Sequence, residues 1–160
     1  MIDETLFKDV MARIPKPVAV ITTATELGYH GITVSSFGSL SLHPPLMYTC
    51  IFHENQSHDR LFEVEAFAVN VLARKHTFYA EQFAGQTPLA DPAFSRVAHS
   101  LSSSGIPLID DCVSWIECRP WTNYPGGDHT IFIGEIERIT MGEADDPLIY
   151  YNREFVELAW

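Results

Sequence analysis

Two short stretches hold the residues best suited to chemistry. The first reads Gly31-Ile32-Thr33-Val34-Ser35-Ser36-Phe37-Gly38-Ser39-Leu40-Ser41-Leu42-His43-Pro44-Pro45, rich in hydroxyls and without Lys, Arg, Asp or Glu. Hydroxyls that alternate with apolar residues on an extended backbone can be held on one face of a strand. Such a row offers hydrogen bonds with no counter-charge, which suits a planar ligand with many heteroatoms and a phosphate tail. An ordinary strand with one wet face would use the same residues. The second stretch is Tyr124-Pro125-Gly126-Gly127-Asp128-His129-Thr130. Its Gly-Gly pair permits a tight turn and delivers an Asp-His pair to the start of a strand. His129 there could meet a ligand as a neutral or cationic donor, with Asp128 biasing its charge. A plain hairpin with an exposed histidine is the competing reading.

Other polar residues carry less. Asn70 lies inside the apolar run Phe67-Ala68-Val69-Asn70-Val71-Leu72, so its amide must fix a neighbouring loop or touch a ligand. Arg74 and Lys75 follow as the nearest cations to a possible phosphate. Phe83 could be core or a wall for a ring, and Trp115 and Trp121 read as packing residues. The spacing of His53, His58, His76 and His99 gives them no role. The chain has no GxSxG elbow, no HExxH metal motif, no GxGxxG after a strand and no Walker A lysine.

The elements that must position these residues follow from periodicity. Leu6, Val10, Met11 and Ile14 predict a helix over Asp3 to Ile14, ended by Pro15 and Pro17. Strands are predicted at Val18–Thr23, through the hydroxyl-rich stretch, at Leu46–Phe52, Phe67–Leu72, Cys112–Trp121 and His129–Thr140, with a short one near Pro147–Tyr151. Ser57 is placed to cap a helix over His58–Glu65, and Gly85 to end one over Arg74–Ala84. Residues 86–111 read as an irregular excursion, with one helical turn near Pro92 to Val97. About six strands without strict βαβ alternation predict a mainly β, antiparallel barrel with a few peripheral helices.

Composition narrows the class. The chain has 160 residues, 46% of them apolar and 19% charged, which fits a single folded domain over 1–160. A net charge of −11 excludes nucleic acid and an anionic membrane as partners. Cys50, Cys112 and Cys118 form no CxxC pair and read as reduced, buried thiols, and no metal site is expected. The acidic N-terminus precedes no signal-like apolar stretch and no run reaches transmembrane length, so a cytoplasmic protein is expected.

Taken in order, these landmarks resemble the flavin reductase-like family of FMN-binding split barrels. The resemblance rests on Met11-Ala12-Arg13-Ile14-Pro15, Val18-Ala19-Val20-Ile21-Thr22-Thr23, the Gly31–Pro45 stretch, Phe67–Leu72, Gln82-Phe83-Ala84-Gly85, Gly127-Asp128-His129 and Pro147-Leu148-Ile149-Tyr150. It implies a six-stranded antiparallel Greek-key split barrel, usually a homodimer. It also implies an oxidoreductase that uses NADH or NADPH to reduce FMN, FAD or riboflavin and passes reduced flavin to a separate monooxygenase. Carried onto this sequence, Thr33, Val34, Ser35, Ser36, Ser39, Leu40, Ser41 and Cys50 would line the flavin. Asn55 and Ser57 would approach its phosphate, Phe83 its ring, and His129 would lie beside the nicotinamide as the catalytic residue. Family members often carry an acidic residue where His43 stands and a basic one in the His53–Gln56 loop. An oxidoreductase with a fixed flavin, or a flavin-binding module without catalysis, are the alternatives.

Overall fold

The computed structural model describes residues 2–55, 57–85 and 94–158. Helix α1 (Glu4–Ala12) is opened by Asp3, whose Oδ1 accepts from Thr5 N at 2.8 Å and Leu6 N at 3.2 Å. Short β1 (Lys16–Pro17) leads into β2 (Ala19–Thr25) and β3 (Gly28–Val34). The chain breaks at Ser35-Ser36 before β4 (Phe37–Leu42), then turns through Pro44 into β5 (Pro45–Phe52). A single helical turn, α2 (Ser57–Arg60), precedes β6 (Phe67–Val71). A 3-10 turn at Arg74–His76 runs into α3 (Thr77–Phe83). Another 3-10 turn at Phe94–Arg96 precedes a small hairpin, β7 (His99–Leu101) and β8 (Pro107–Ile109). The long hairpin β9 (Ser114–Gly126) and β10 (His129–Met141) follows, and β11 (Ile149–Tyr151) and β12 (Glu154–Val156) close the chain.

The main sheet is antiparallel, in the order β3-β2-β6-β9-β10-β5-β4. β2 and β6 are neighbours although three strands separate them in sequence, which is Greek-key connectivity. Seven strands belong to this sheet rather than the six expected, because the hydroxyl-rich stretch forms two. Six of them, all but β4, send buried side chains into one core: Ala19, Ile21, Ile32, Val34, Met47, Ile51, Phe67, Val69, Cys118 and Phe132. Burying each large apolar side chain there contributes about 1.5–3 kcal/mol. β4 hangs on the outer edge, paired only with β5. The Ser35-Ser36 break marks the split, where Cys50 N donates to Ser36 O at 2.9 Å.

A second core covers the outer face of β2 and β6 with Val18, Val20, Leu72, Ala80, Phe83, Phe94, Ile109 and Leu148. Asn70 is fully buried beneath it. Its Nδ2 donates to Val20 O at 2.9 Å and Thr22 Oγ1 at 3.0 Å, and its Oδ1 accepts from Ile109 N at 2.8 Å. Thr22 in turn donates to Pro107 O at 2.6 Å. Asn70 therefore fixes a loop, one of its two expected roles. The expected helix over His58–Glu65 shrinks to one turn that starts at Ser57 itself. Asn55 provides the cap, its Oδ1 accepting from Ser57 N at 2.8 Å. The expected excursion contains the β7–β8 hairpin, whose three-residue strands are too short to show a period. The expected turn at Pro92–Val97 appears as Phe94–Arg96, and 86–93 lie outside the described residues.

Candidate active site

The edge strand β4 pairs Phe37 with Thr49, Gly38 with Tyr48 and Ser39 with Met47, then slips so that Ser41 pairs with Leu46. Cross-strand partners share a face, so the bulge at Leu40 puts Ser39 and Ser41 on opposite faces of the sheet. One continuous row of hydroxyls therefore does not form, a correction to the expected alternation. A bulge adds one residue and shifts the parity of everything beyond it. Gly38 is tightly constrained here: a Cβ on it would meet the Tyr48 ring at 3.1 Å.

The hydroxyls along this stretch divide into engaged and open groups. Thr33 Oγ1 donates to Ala80 O at 2.7 Å and ties β3 to α3, and Val34 is buried in the barrel core. Ser36 Oγ donates to Cys50 O at 3.0 Å, so Ser36 and Cys50 clamp the split by two bonds. Burial pushes the Cys50 thiol above its usual pKa and keeps it protonated. Ser35 and Ser41 are half-buried and Ser39 is exposed, and none of these hydroxyls bonds to another described residue. Leu40, at 52% exposure, projects between them.

The second cluster forms at the end of β5. Gly127 adopts φ 75° at the first central position of the two-residue β9–β10 turn, where a side chain would be strained. The turn places His129 opposite Phe52, with ring centroids 5.4 Å apart. His129 Nδ1 donates to Asp128 Oδ1 at 2.6 Å. That hydrogen bond holds the Asp128 carboxyl below its usual pKa, so the carboxylate stays ionised and can only accept. His129 Nε2 makes no hydrogen bond with the described residues. His53 N donates to Asp128 O at 3.0 Å, which anchors the loop after β5 to the turn. His58 Nδ1 donates to Asp59 Oδ1 at 2.8 Å, and its Nε2 lies 2.8 Å from Thr130 Oγ1. The rings of His53 and His58 meet edge to face at 5.0 Å.

β5 links the two clusters, since Cys50 bonds Ser36 on one side and pairs with Ile131 on the other. Two strand spacings, about 10 Å, thus separate the Ser36 backbone from the start of β10. A flat ring system can span that distance. The remaining expected site residues lie elsewhere or are engaged. Ser57 is buried with its hydroxyl bonded to His30 Nε2, and Asn55 uses its Oδ1 as the cap. Phe83 is a core residue at 7% exposure, its ring packed on Gly31, where a Cβ would come within 2.7 Å of it. Arg74 pairs with Asp146 at 2.9 Å and with Glu157, and Lys75 with Asp111 at 2.7 Å, so both expected cations are neutralised away from β4. Sequence spacing missed His53, His58 and Thr130. The available signal was Asp59 beside His58, a ready partner for one ring nitrogen.

This split barrel, with an edge strand bearing open hydroxyls beside an Asp-His turn, belongs to the flavin reductase-like family. Residues 11–159 match the family described as "Flavin reductase like domain". The chain is 35% identical to the actinorhodin polyketide dimerase of Streptomyces coelicolor (strain ATCC BAA-471 / A3(2) / M145), over 98% of this chain and 87% of that protein. It is 34% identical to the NADH-dependent FAD reductase of Streptomyces globisporus, again over 98% and 87%. Among solved structures it superposes with a TM-score of 0.89 on BorF, the flavin reductase component of a bacterial two-component tryptophan halogenase. That match has 29% identity and covers 98% of each chain.

Proposed function

We propose that the chain, as one domain, is an NADH-dependent flavin reductase that hands reduced flavin to a separate oxygenase component. The observation that carries this reading is the match of nearly the whole chain to relatives named for flavin reduction with NADH. Support for the ring and ribityl portion comes from Ser35 and Ser41, half-buried hydroxyls with no partner among the described residues. The phosphate end is served less well, because the Ser57 hydroxyl is already bonded to His30.

Bound flavin supplies the hydride-accepting ring. The protein's part is positioning. Ser36 and Cys50 hold the split at fixed width, and Ser35 and Ser41 orient the ring edge and ribityl hydroxyls, Ser41 being on the same face as His129 by strand register. Asp128 fixes the His129 tautomer, so that Nε2 meets the nicotinamide and aligns it for transfer. Hydride transfer to a bound flavin needs no covalent nucleophile from the chain. Leu6, Phe7 and Val10 of α1 are 61%, 53% and 49% exposed, and this uncovered apolar stripe supports a homodimer. Sedimentation at micromolar concentration checks that state, and a monomer would refute it.

The deciding assay mixes the protein with NADH or NADPH and excess FMN, FAD or riboflavin and follows nicotinamide oxidation. Turnover with NADH and at least one flavin is expected, and no turnover in any pairing would overturn the reading. The likeness to a polyketide dimerase favours a second reading, in which flavin stays bound and serves another substrate. A protein that remains yellow through extensive dialysis would support it.

A further inference from the structure

Both chain neighbours of His129 are gripped from one loop, the residues that follow β5. On one side, Asp128 O accepts from His53 N at 3.0 Å. On the other, Thr130 Oγ1 lies 2.8 Å from His58 Nε2. His58 belongs to the α2 turn, and its side chain is only 12% exposed. That turn is itself fixed, because Ser57 bonds to His30 and Asn55 caps it.

The bond to Thr130 has a defined direction. His58 Nδ1 donates to Asp59 Oδ1 at 2.8 Å, so in the neutral ring Nε2 carries the lone pair and Thr130 donates to it. Edge-to-face contacts with Phe62 at 5.2 Å and Phe132 at 5.8 Å hold the ring plane. Thr130 is 6% exposed and stands opposite Ile51, at 1%. Successive side chains on a strand point to opposite faces. Thr130 therefore points into the barrel and His129 away from it, beside Phe52. His58 reaches the strand from the inner face, so it acts on His129 only through the backbone.

We propose that His58 is a positioning residue for hydride transfer. By holding Thr130 it fixes the start of β10, and with it the angle at which His129 presents its ring to the nicotinamide. The assignment rests on the flavin reductase reading of the site. Misplacing an aligned group by about 1 Å can cost on the order of a hundredfold in rate. Loss of one clamp is therefore measurable although the clamp touches no ligand.

The test is steady-state NADH oxidation with saturating FMN in a set of full-length variants. His58→Leu keeps the bulk and loses both bonds, and Thr130→Val loses one hydroxyl. Each should lower kcat/KM for NADH about tenfold, with FMN affinity within about twofold. His58→Gln can still accept from Thr130, and Thr130→Ser can still donate, so both should stay within about threefold of the parent. Because the two residues share one bond, the double variant H58L/T130V should lose about tenfold and not about a hundredfold. In the protein without cofactor, the His129 ring-proton signals sense the Phe52 ring. They should move in Thr130→Val and return in Thr130→Ser. This readout separates the two failures: no turnover by the parent would defeat the flavin reading, whereas unmoved His129 signals would defeat the clamp. Additive losses in the double variant, a Gln variant as impaired as the Leu one, or an unchanged kcat/KM in Thr130→Val would also overturn it.

Discussion

Chemically similar side chains do opposite work in two regions of this barrel. Beneath the second core, Asn70 and Thr22 make every hydrogen bond to strands and to the incoming 107–109 segment. On the edge strand β4, Ser39 and Ser41 make none with the described residues. A buried polar group must be satisfied from within the protein, or the fold loses stability. An edge hydroxyl in contact with water can wait for a ligand. Polarity in a strand therefore does not identify a binding residue. The state of its hydrogen bonds does.

The sharpest way to break this contrast is Asn70→Ala. Loss of a buried amide with three partners should destabilise the protein by about 2–3 kcal/mol in urea unfolding, while the folded fraction keeps its flavin affinity. A flavin defect without a stability defect would put Asn70 in the binding region. His129→Ala should lower kcat/KM for NADH by about tenfold or more through lost alignment, with flavin affinity within about twofold. Equal loss of both, or no kinetic change, would remove His129 from the transfer step. A finer test pairs two hydroxyls from one sequence motif. Thr33→Val should cost about 1 kcal/mol of stability and leave FMN affinity unchanged. Ser41→Ala should leave stability unchanged and weaken FMN by roughly threefold to tenfold. Reversed outcomes would dissolve the distinction.

The smallest effect is one of pH. Burial holds the His30 and His76 imidazoles below their usual pKa, with Arg60 and Lys75 adding to the shift. Below about pH 6.5 the unfolded chain takes up protons that the folded one refuses. Stability is thus full above that value and falls as the pH drops through the folded-state values. Urea midpoints at pH 7.5 and 5.5 check the sign, and a higher midpoint at pH 5.5 would contradict it.

The sequence made the barrel legible because β-branched runs and Gly or Pro punctuation are local signals. The Gly127 turn was legible for the same reason. The bulge at Leu40 was not, since register depends on the partner strand and not on the strand's own residues. Nor was the engagement of Thr33 by Ala80, 47 positions away. Phe83 sat beside familiar landmarks, yet its burial depends on Gly31 leaving room for the ring. The His53, His58 and Thr130 contacts escaped because they arise only when the loop after β5 meets the hairpin turn. Local pattern named the strands, and tertiary contact decided which hydroxyls stayed open.

The most direct measurement is a crystal structure of the protein with FMN. The isoalloxazine should sit between the Ser35–Ser41 edge and the Asp128-His129 turn, with Ser41 bonded to the ligand and Thr33 still bonded to Ala80. A flavin bound elsewhere, with that edge facing only solvent, would contradict this placement.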